Sequence, residues 1–430
     1  MKRPPSAPAR DEGAIIHDWN ALRPSPRPEH PFDFNDETLR DGVQSPSVVD
    51  PSVEDKKELL ELMHDVGVRT ADIGLPGAGK RAFDDVVALA KHIQKKKLSI
   101  APNCAARTVL ADIAPVAEAA QRAGQPIAVY TFIGSSPIRQ WAEEWSLELI
   151  RKMSADAISF AVKQGLKVAY VTEDTTRSSP LALEVLFRSA IDHGASRLVL
   201  CDTVGHATPL GVRALVEWTR SLIASTGAEV KIDWHGHNDR GLAVVNAIAA
   251  LEAGAHRLHA CGLGVGERVG NTSMDLLLLN LKLMGWIDQD LSALVPYVKK
   301  VSEATQVAIP VNYPLSGADA FRTATGVHAA AIIKAKKKGD DWLADRVYSG
   351  VPAGEFGKAQ EIEVGHMSGM SNVRFWLEQR KLSVSDEVQR AILAKAKGCA
   401  WTLTEQEILE VIRPKKKPKK PAPRRKAARG

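Results

Sequence analysis

From residue 32 onward one pattern recurs eight times: a short apolar, β-branched run closes on polar or glycine residues, and a helical stretch follows. The runs end as FDFNDET, RTADIGLP, LSIAPNCA, PIAVYTFIGSS, KVAYVTEDTTR, RLVLCDTVG, EVKIDWHGHND and RLHACGLGVGER. Between them, segments such as SLELIRKMSADAISFAVKQG and GLAVVNAIAALEAG repeat apolar residues at helical spacing and close on Gly, which takes a left-handed helix cap without steric cost. Eight such units over residues 32–285 match the size and order of a (β/α)8 TIM barrel, in which polar residues gather after the strands. A doubly wound open sheet is the alternative. Its GxGxxG fingerprint is missing, since GLGVGERVGN carries Glu267 or Val269 where the third Gly belongs. The expected fold class is α/β: a barrel, then small, mainly helical accessory subdomains over 286–412 whose apolar periodicity is too weak to assign each a core of its own.

The flanks differ from this body. Residues 1–31 hold seven prolines and both signs of charge, without the apolar stretch of a secretory signal, and read as a disordered leader. Residues 413–430 hold ten Lys/Arg and no acid, so the net charge of +6 becomes −4 once they are set aside. Prolines and like charges prevent packing there, and a disordered basic tail is expected, first as a solubility tail of no specific function and second as a weak attractor of nucleic acid or other polyanions. No run approaches the roughly 18 apolar residues of a membrane span. Cys104, Cys201, Cys261 and Cys399 lie far apart without a CxxC, which points to reduced thiols and a cytoplasmic location.

The chemistry gathers at the strand ends. In WHGHND an extended chain turns His235 and His237 to one face, so both can hold one metal ion. HxH alone is a modest signal. Asp41 closes the first unit and Asn271 follows the eighth, which makes them neighbours across the seam of a closed barrel. Imidazole, carboxylate and amide donors without thiolate suit an accessible Mg²⁺, Mn²⁺, Zn²⁺ or Co²⁺, and ligand type does not choose among them. Such an ion can polarise the carbonyl of a 2-oxo acid. The glycines of GLGVGERVGN read as a tight turn, with Glu267 and Arg268 as an ion pair supporting Asn271; His64, His92, His193 and His256 read as structural or solvated.

At these residues the sequence resembles the metal-dependent Claisen-condensing acyltransferases, the 2-isopropylmalate, homocitrate and citramalate synthases, with 3-hydroxy-3-methylglutaryl-CoA lyase more distant. TLRDGVQSP, TEDTTR, DTVGHATP, HGHND and GERVGN stand in the family's order at the expected strand ends, and TGVH and GHMSG extend the likeness to about residue 380. The resemblance implies that Asp41, His235 and His237 bind the metal, with Asn271 a weaker fourth ligand. It makes Arg40 the cation that stabilises charge on the reacting oxygen, and Glu173 and Thr203 contacts of the oxo acid. Val171, two residues before Glu173, would shape the side-chain pocket. His328 in TGVH resembles the histidine that helps deprotonate acetyl-CoA, and Tyr348 the tyrosine of the same region. A homodimer is also implied.

Two departures bear on substrate. ADIGLP places Asp72 where the family has Glu, and SSPIRQW places Arg139 where it commonly has His; an added guanidinium can meet a second substrate carboxylate or a CoA phosphate. A C-terminal leucine-sensing domain is not expected. The best reading is 2-isopropylmalate synthase, condensing acetyl-CoA with 2-oxoisovalerate in leucine synthesis. Homocitrate or citramalate synthase is the alternative, with the lyase and a non-enzymatic polyanion-binding scaffold further off.

Overall fold

The computed structural model describes residues 12–413. The basic tail beyond Arg413 and the first eleven residues of the leader lie outside it. The rest of the leader is exposed chain with two short 3-10 turns, Glu12–Ala14 and Trp19–Leu22.

Eight parallel strands close into one barrel in sequence order, as the repeat predicts. They are β1 (Asp33–Asp36), β2 (Thr70–Asp72), β3 (Ala101–Arg107), β4 (Ala128–Gly134), β5 (Val168–Glu173), β6 (Arg197–Asp202), β7 (Lys231–Gly236) and β8 (Arg257–Ala260). The seam is the β1–β8 pair, aligned from Asp33↔Arg257 to Asp36↔Ala260. Helices fill the outer ring, including α1 (Val53–Asp65) after β1 and α2 (Lys80–Lys96) after β2. Their starts follow from the polar strand ends: Ser52 before α1 accepts a hydrogen bond from the Asp55 N–H, satisfying a donor that has no partner within the helix. Leu59, Leu60 and Met63 of α1 are fully buried, each such side chain contributing roughly 1.5–3 kcal/mol.

Alternation along each strand decides what fills the cylinder. On β7, Ile232 and Trp234 are buried on the helix side, while Asp233 and His235, with His237 just beyond, share the inner face. Barrels of this type usually pack branched apolar residues inside. Here the interior is divided. Strands β4, β5 and β6 supply an apolar cluster of Tyr130, Ala169, Val199 and Cys201, flanked by Val171, whereas β7, β8 and β1 supply Asp233, His235, Arg257, His259, Asp33 and Glu37.

The compact unit around the barrel ends at Ala308, not at 285, because the helix Leu294–Thr305 packs on α1, with Lys300 bonded to Asp55 at 2.7 Å. The second unit, from Ile309, is mainly helical with one parallel pair of short strands, Arg322–Thr323 and Glu361–Ile362. It does have cores. Ala329, Ile332, Ile333 and Phe375 form one, and Val364, Trp376, Leu377, Ile392, Leu403 and Ile408 the other. Each is completed by side chains from several segments, so no single helix carries a whole core. Cys104, Cys201 and Cys261 are buried and all four cysteines are free thiols. Among the described residues no helix is long and apolar enough to cross a membrane.

Candidate metal centre at the barrel mouth

The strand ends bring three expected ligands together. Asp41 Oδ2 lies 3.8 Å from His235 Nε2 and 3.7 Å from His237 Nε2, and the two imidazole nitrogens are 3.2 Å apart. All three residues are buried. Asp41 Oδ2 has no hydrogen-bond partner, and neither has Asn271 Oδ1. A buried acceptor without a donor costs about 1–3 kcal/mol, so convergent unpaired acceptors mark a place where something else completes the bonding. An O,N,N triangle of this size fits a small divalent ion. Asn271 stands beside this triangle in the backbone, bridging His237, while its amide N–H donates to Val265 O at 3.0 Å. The glycine loop permits that fold-back: a Cβ on Gly266 would lie 2.1 Å from Asn271 Nδ2, and one on Gly270 would lie 1.9 Å from Gly264 O.

Electrostatics keep the set in ligating form. Burial opposes the Asp41 charge, but the adjacent Arg40 guanidinium outweighs it and holds the carboxyl below its usual range. Burial, with His235 beside it, lowers His237 to about 4, leaving a neutral imidazole. Arg40 is fixed by three carboxylates: Nε to Asp72 at 2.9 Å, Nη1 to Asp41 at 2.7 Å and Nη2 to Glu37 at 2.7 Å. That consumes three of its five N–H groups and leaves two for a substrate oxygen. Asp72 therefore serves Arg40. Burial raises its carboxyl to about 6 even with Arg40 alongside.

A cavity of about 270 Å³ adjoins the centre, bounded by Arg40, Asp41 and His259 on the charged side and by Ala105, Phe132, Val171 and Val199 on the other, with Glu173 at its edge.

With this arrangement in view, the sequence comparisons are decisive about lineage: the profile of the HMGL-like family matches residues 32–303, well over half of the chain. The chain belongs to the HMGL-like family. Homocitrate synthase AksA of Methanopyrus kandleri is 30% identical over 88% of this chain and 91% of its own length. The 2-isopropylmalate synthase of Pyrococcus abyssi is 29% identical over 88% of this chain and 76% of its own. Among solved structures, the HMG-CoA lyase of Bacillus subtilis superposes with a TM-score of 0.53 at 20% identity, over 64% of this chain and 94% of its own, a likeness of fold.

The remaining expected residues of this HMGL-like chain are placed as follows. Glu173 is half-buried, and burial raises its carboxyl although Arg139 and Arg40 pull the other way. Arg139 Nη2 lies 3.8 Å from Glu173 Oε2 and its Nη1 lies 3.3 Å from Glu143 Oε1. Thr203 Oγ1 accepts from the Asp174 N–H at 2.8 Å, which leaves its hydroxyl hydrogen to donate. Arg268 pairs with Glu267 at 3.8 Å, as expected, and makes closer contacts elsewhere. It forks onto Asp239 at 2.8 and 3.0 Å and onto Thr203 O at 2.6 Å, because its left-handed backbone turns it toward the preceding loops. His328 and Tyr348 lie in the second unit and stack with ring centroids 4.1 Å apart.

The HMGL-like barrel also holds buried neighbours of these residues that sequence reasoning passed over: Glu37, Asp233 and His259. Glu37 touches both Arg40 and His235. His259 is bonded at Nδ1 to Glu37 at 2.5 Å and at Nε2 to Asp233 at 3.2 Å. Burial disfavours its charge, yet these carboxylates raise it to about 9. The signal was present in the period of two: Asp233 precedes His235 by two residues, and His259 follows Arg257 by two.

Proposed function

We propose that the protein is a metal-dependent condensing acyltransferase that joins acetyl-CoA to a 2-oxo acid, with 2-oxoisovalerate as the substrate and 2-isopropylmalate, CoA and a proton as products after water cleaves the thioester. The observation that carries this reading is the divided cavity, polar where Asp41 and Arg40 converge and apolar where Val171, Val199, Phe132 and Ala105 meet. A branched aliphatic tail belongs on the apolar wall, where roughly 25 cal/mol per Å² favours its transfer from water. A divalent ion held by Asp41, His235, His237 and Asn271 supplies Lewis acidity toward the ketone oxygen.

The chain's own residues account for the rest. The free N–H groups of Arg40 face charge that develops on that oxygen, and their three carboxylate partners prevent the guanidinium from reorienting. The Thr203 hydroxyl donates to the substrate carboxylate. A groove of about 530 Å³ shares Arg40 and Gln44 with the cavity and gives acetyl-CoA room for its pantetheine arm; Lys56, Lys80 and Arg81 along it are each paired with an aspartate. The exposed, stacked His328 and Tyr348 pair is the candidate for taking the methyl proton of acetyl-CoA, on the strength of the TGVH motif.

Homocitrate synthase is the second reading, favoured by Arg139, whose guanidinium at the rim suits a second carboxylate. Glu143 and Glu173 already flank that guanidinium, which is why the aliphatic acid is placed first. Release of CoA by metal-loaded protein offered 2-oxoisovalerate, 2-oxoglutarate or pyruvate tests the assignment. A tenfold or greater advantage in kcat/KM is expected for 2-oxoisovalerate, and the same advantage for either competitor replaces the assigned substrate.

A further inference from the structure

Glu37 is a fully buried carboxylate with four partners. Its Oε2 accepts from Arg40 Nη2 at 2.7 Å and lies 3.4 Å from His235 Nδ1, while Oε1 lies 2.5 Å from His259 Nδ1 and 3.3 Å from Asn35 Nδ2. It thus faces two parts of the proposed machinery, the guanidinium of Arg40 and the outer nitrogen of a metal ligand. His237 has no counterpart: its Nδ1 is buried without a partner.

We infer that Glu37 is a positioning residue that holds His235 in its Nδ1–H tautomer, so that Nε2 presents a lone pair to the metal before any ion arrives. An ionised carboxylate only accepts, so Glu37 at 3.4 Å from Nδ1 favours the tautomer that carries its hydrogen there. In that tautomer the ring's acceptor is Nε2, on the side of Asp41 and His237. His237 Nε2, 3.2 Å away, is left as the donor of that contact in the metal-free protein. One ligand is therefore preset and the other changes tautomer on binding, moving its hydrogen to the unpartnered Nδ1.

Glu37, His235 and His259 also lie close enough to form a second O,N,N set. That set does not ligate in this account, because both nitrogens of His259 are occupied by carboxylates and offer no lone pair. Outer partners of this kind typically change metal affinity by about 10–100-fold when removed.

The inference rests on the metal reading above, and the test separates the two. In metal-free, ¹⁵N-histidine-labelled protein, two-bond proton–nitrogen spectra are expected to show His235 as the Nδ1–H form and His237 as the Nε2–H form. Its signals are assigned by their loss in His235→Gln. Titration with Zn²⁺ is expected to give one ion per chain, to leave the His235 pattern in place and to switch that of His237.

The Zn²⁺ dissociation constant is expected to rise about tenfold in Glu37→Gln, whose amide oxygen still accepts, and about a hundredfold in Glu37→Leu. Should Glu37→Leu fail to fold, the wild-type tautomer and Glu37→Gln decide. An Nε2–H pattern for His235, unchanged affinity in both variants, or two ions per chain with one lost in Glu37→Leu overturns the inference. Failure of the metal reading has its own signature, equal Zn²⁺ binding by wild type and Asp41→Ala, and it removes the inference with it.

Discussion

The two ends of this barrel are equally rich in buried charge and differ in what that charge lacks. At the floor, Arg257 forks onto Asp33 at 2.7 Å through both Nε and Nη2 and donates to Tyr130 OH at 2.7 Å. Tyr130 in turn donates to Asp233, which also pairs with Arg197 and His259. Both carboxylates of that network are answered by cations. At the mouth, Asp41 Oδ2, Asn271 Oδ1 and His237 Nδ1 are buried and unpaired. A satisfied network needs no ligand, whereas an incomplete one is held in place by the surrounding fold at a cost to stability. Buried charge by itself therefore identifies neither a site nor a scaffold; the distribution of unmet bonds does.

Substitutions at the two ends should fail in opposite ways. Asp41→Asn at the mouth is expected to lower kcat/KM on the order of 10³-fold, several kcal/mol of lost charge stabilisation. Its metal-free stability to urea should stay within about 1 kcal/mol of wild type, because Arg40 keeps Glu37 and Asp72. At the floor, Asp233→Leu is expected to cost about 3–5 kcal/mol in urea unfolding, since Arg197, His259 and Tyr130 are left buried without their shared acceptor. If Asp41→Asn proves the more destabilising of the two in the absence of metal, the contrast between the ends is wrong.

Metal sharpens the same contrast. An ion that binds only the folded state, present at a hundredfold excess over its dissociation constant, should stabilise the wild type by about 2.7 kcal/mol. That increment should vanish in Asp41→Asn and disappear on chelation. A wild-type melting temperature indifferent to both Zn²⁺ and chelator would falsify the centre.

Much of this was legible in the sequence because it depends on short-range rules. Period-two alternation and glycine-ended helices gave eight units, and those units close in sequence order. Asp41, His235 and His237 could be grouped because strand ends in a closed barrel must converge. What escaped was set by contacts between strands distant in the chain. Glu37 has no local motif, and its importance comes from His235, Arg40 and His259, of which only Arg40 is near it in sequence. The Glu267–Arg268 pair is local and legible, whereas the closer fork of Arg268 onto Asp239 joins two loops and is not. The second unit hid its cores for the same reason, since Val364, Trp376, Ile392 and Ile408 come from separate segments.

The smallest effect expected tests whether the floor is as settled as its carboxylates suggest. His256 stacks on His30 with centroids 4.5 Å apart, and its Nδ1 accepts from the Ile232 N–H. Burial, then the neighbouring His30, lowers its value from 6.5 to about 4. A histidine whose folded value is depressed takes its proton more readily in the unfolded chain, so stability declines as pH falls from about 6.5 to about 4 and is level above that window. The ring is only partly buried, and solvent screening reduces the effect to about 1 kcal/mol. Asp233 behaves differently: burial raises it, Arg197 and His259 outweigh that and bring it to about 2, so its contribution persists above about 3.8 and is lost as pH falls through about 2. His256→Asn, which retains an acceptor for Ile232, should therefore remove about 1 kcal/mol of the decline in urea stability between pH 6.5 and 4, leave the part due to the equally depressed His237, and leave any loss near pH 2 untouched. An undiminished decline in that variant would assign the upper window to the histidines of the mouth, and the floor would then be without an acid-sensitive member in that range.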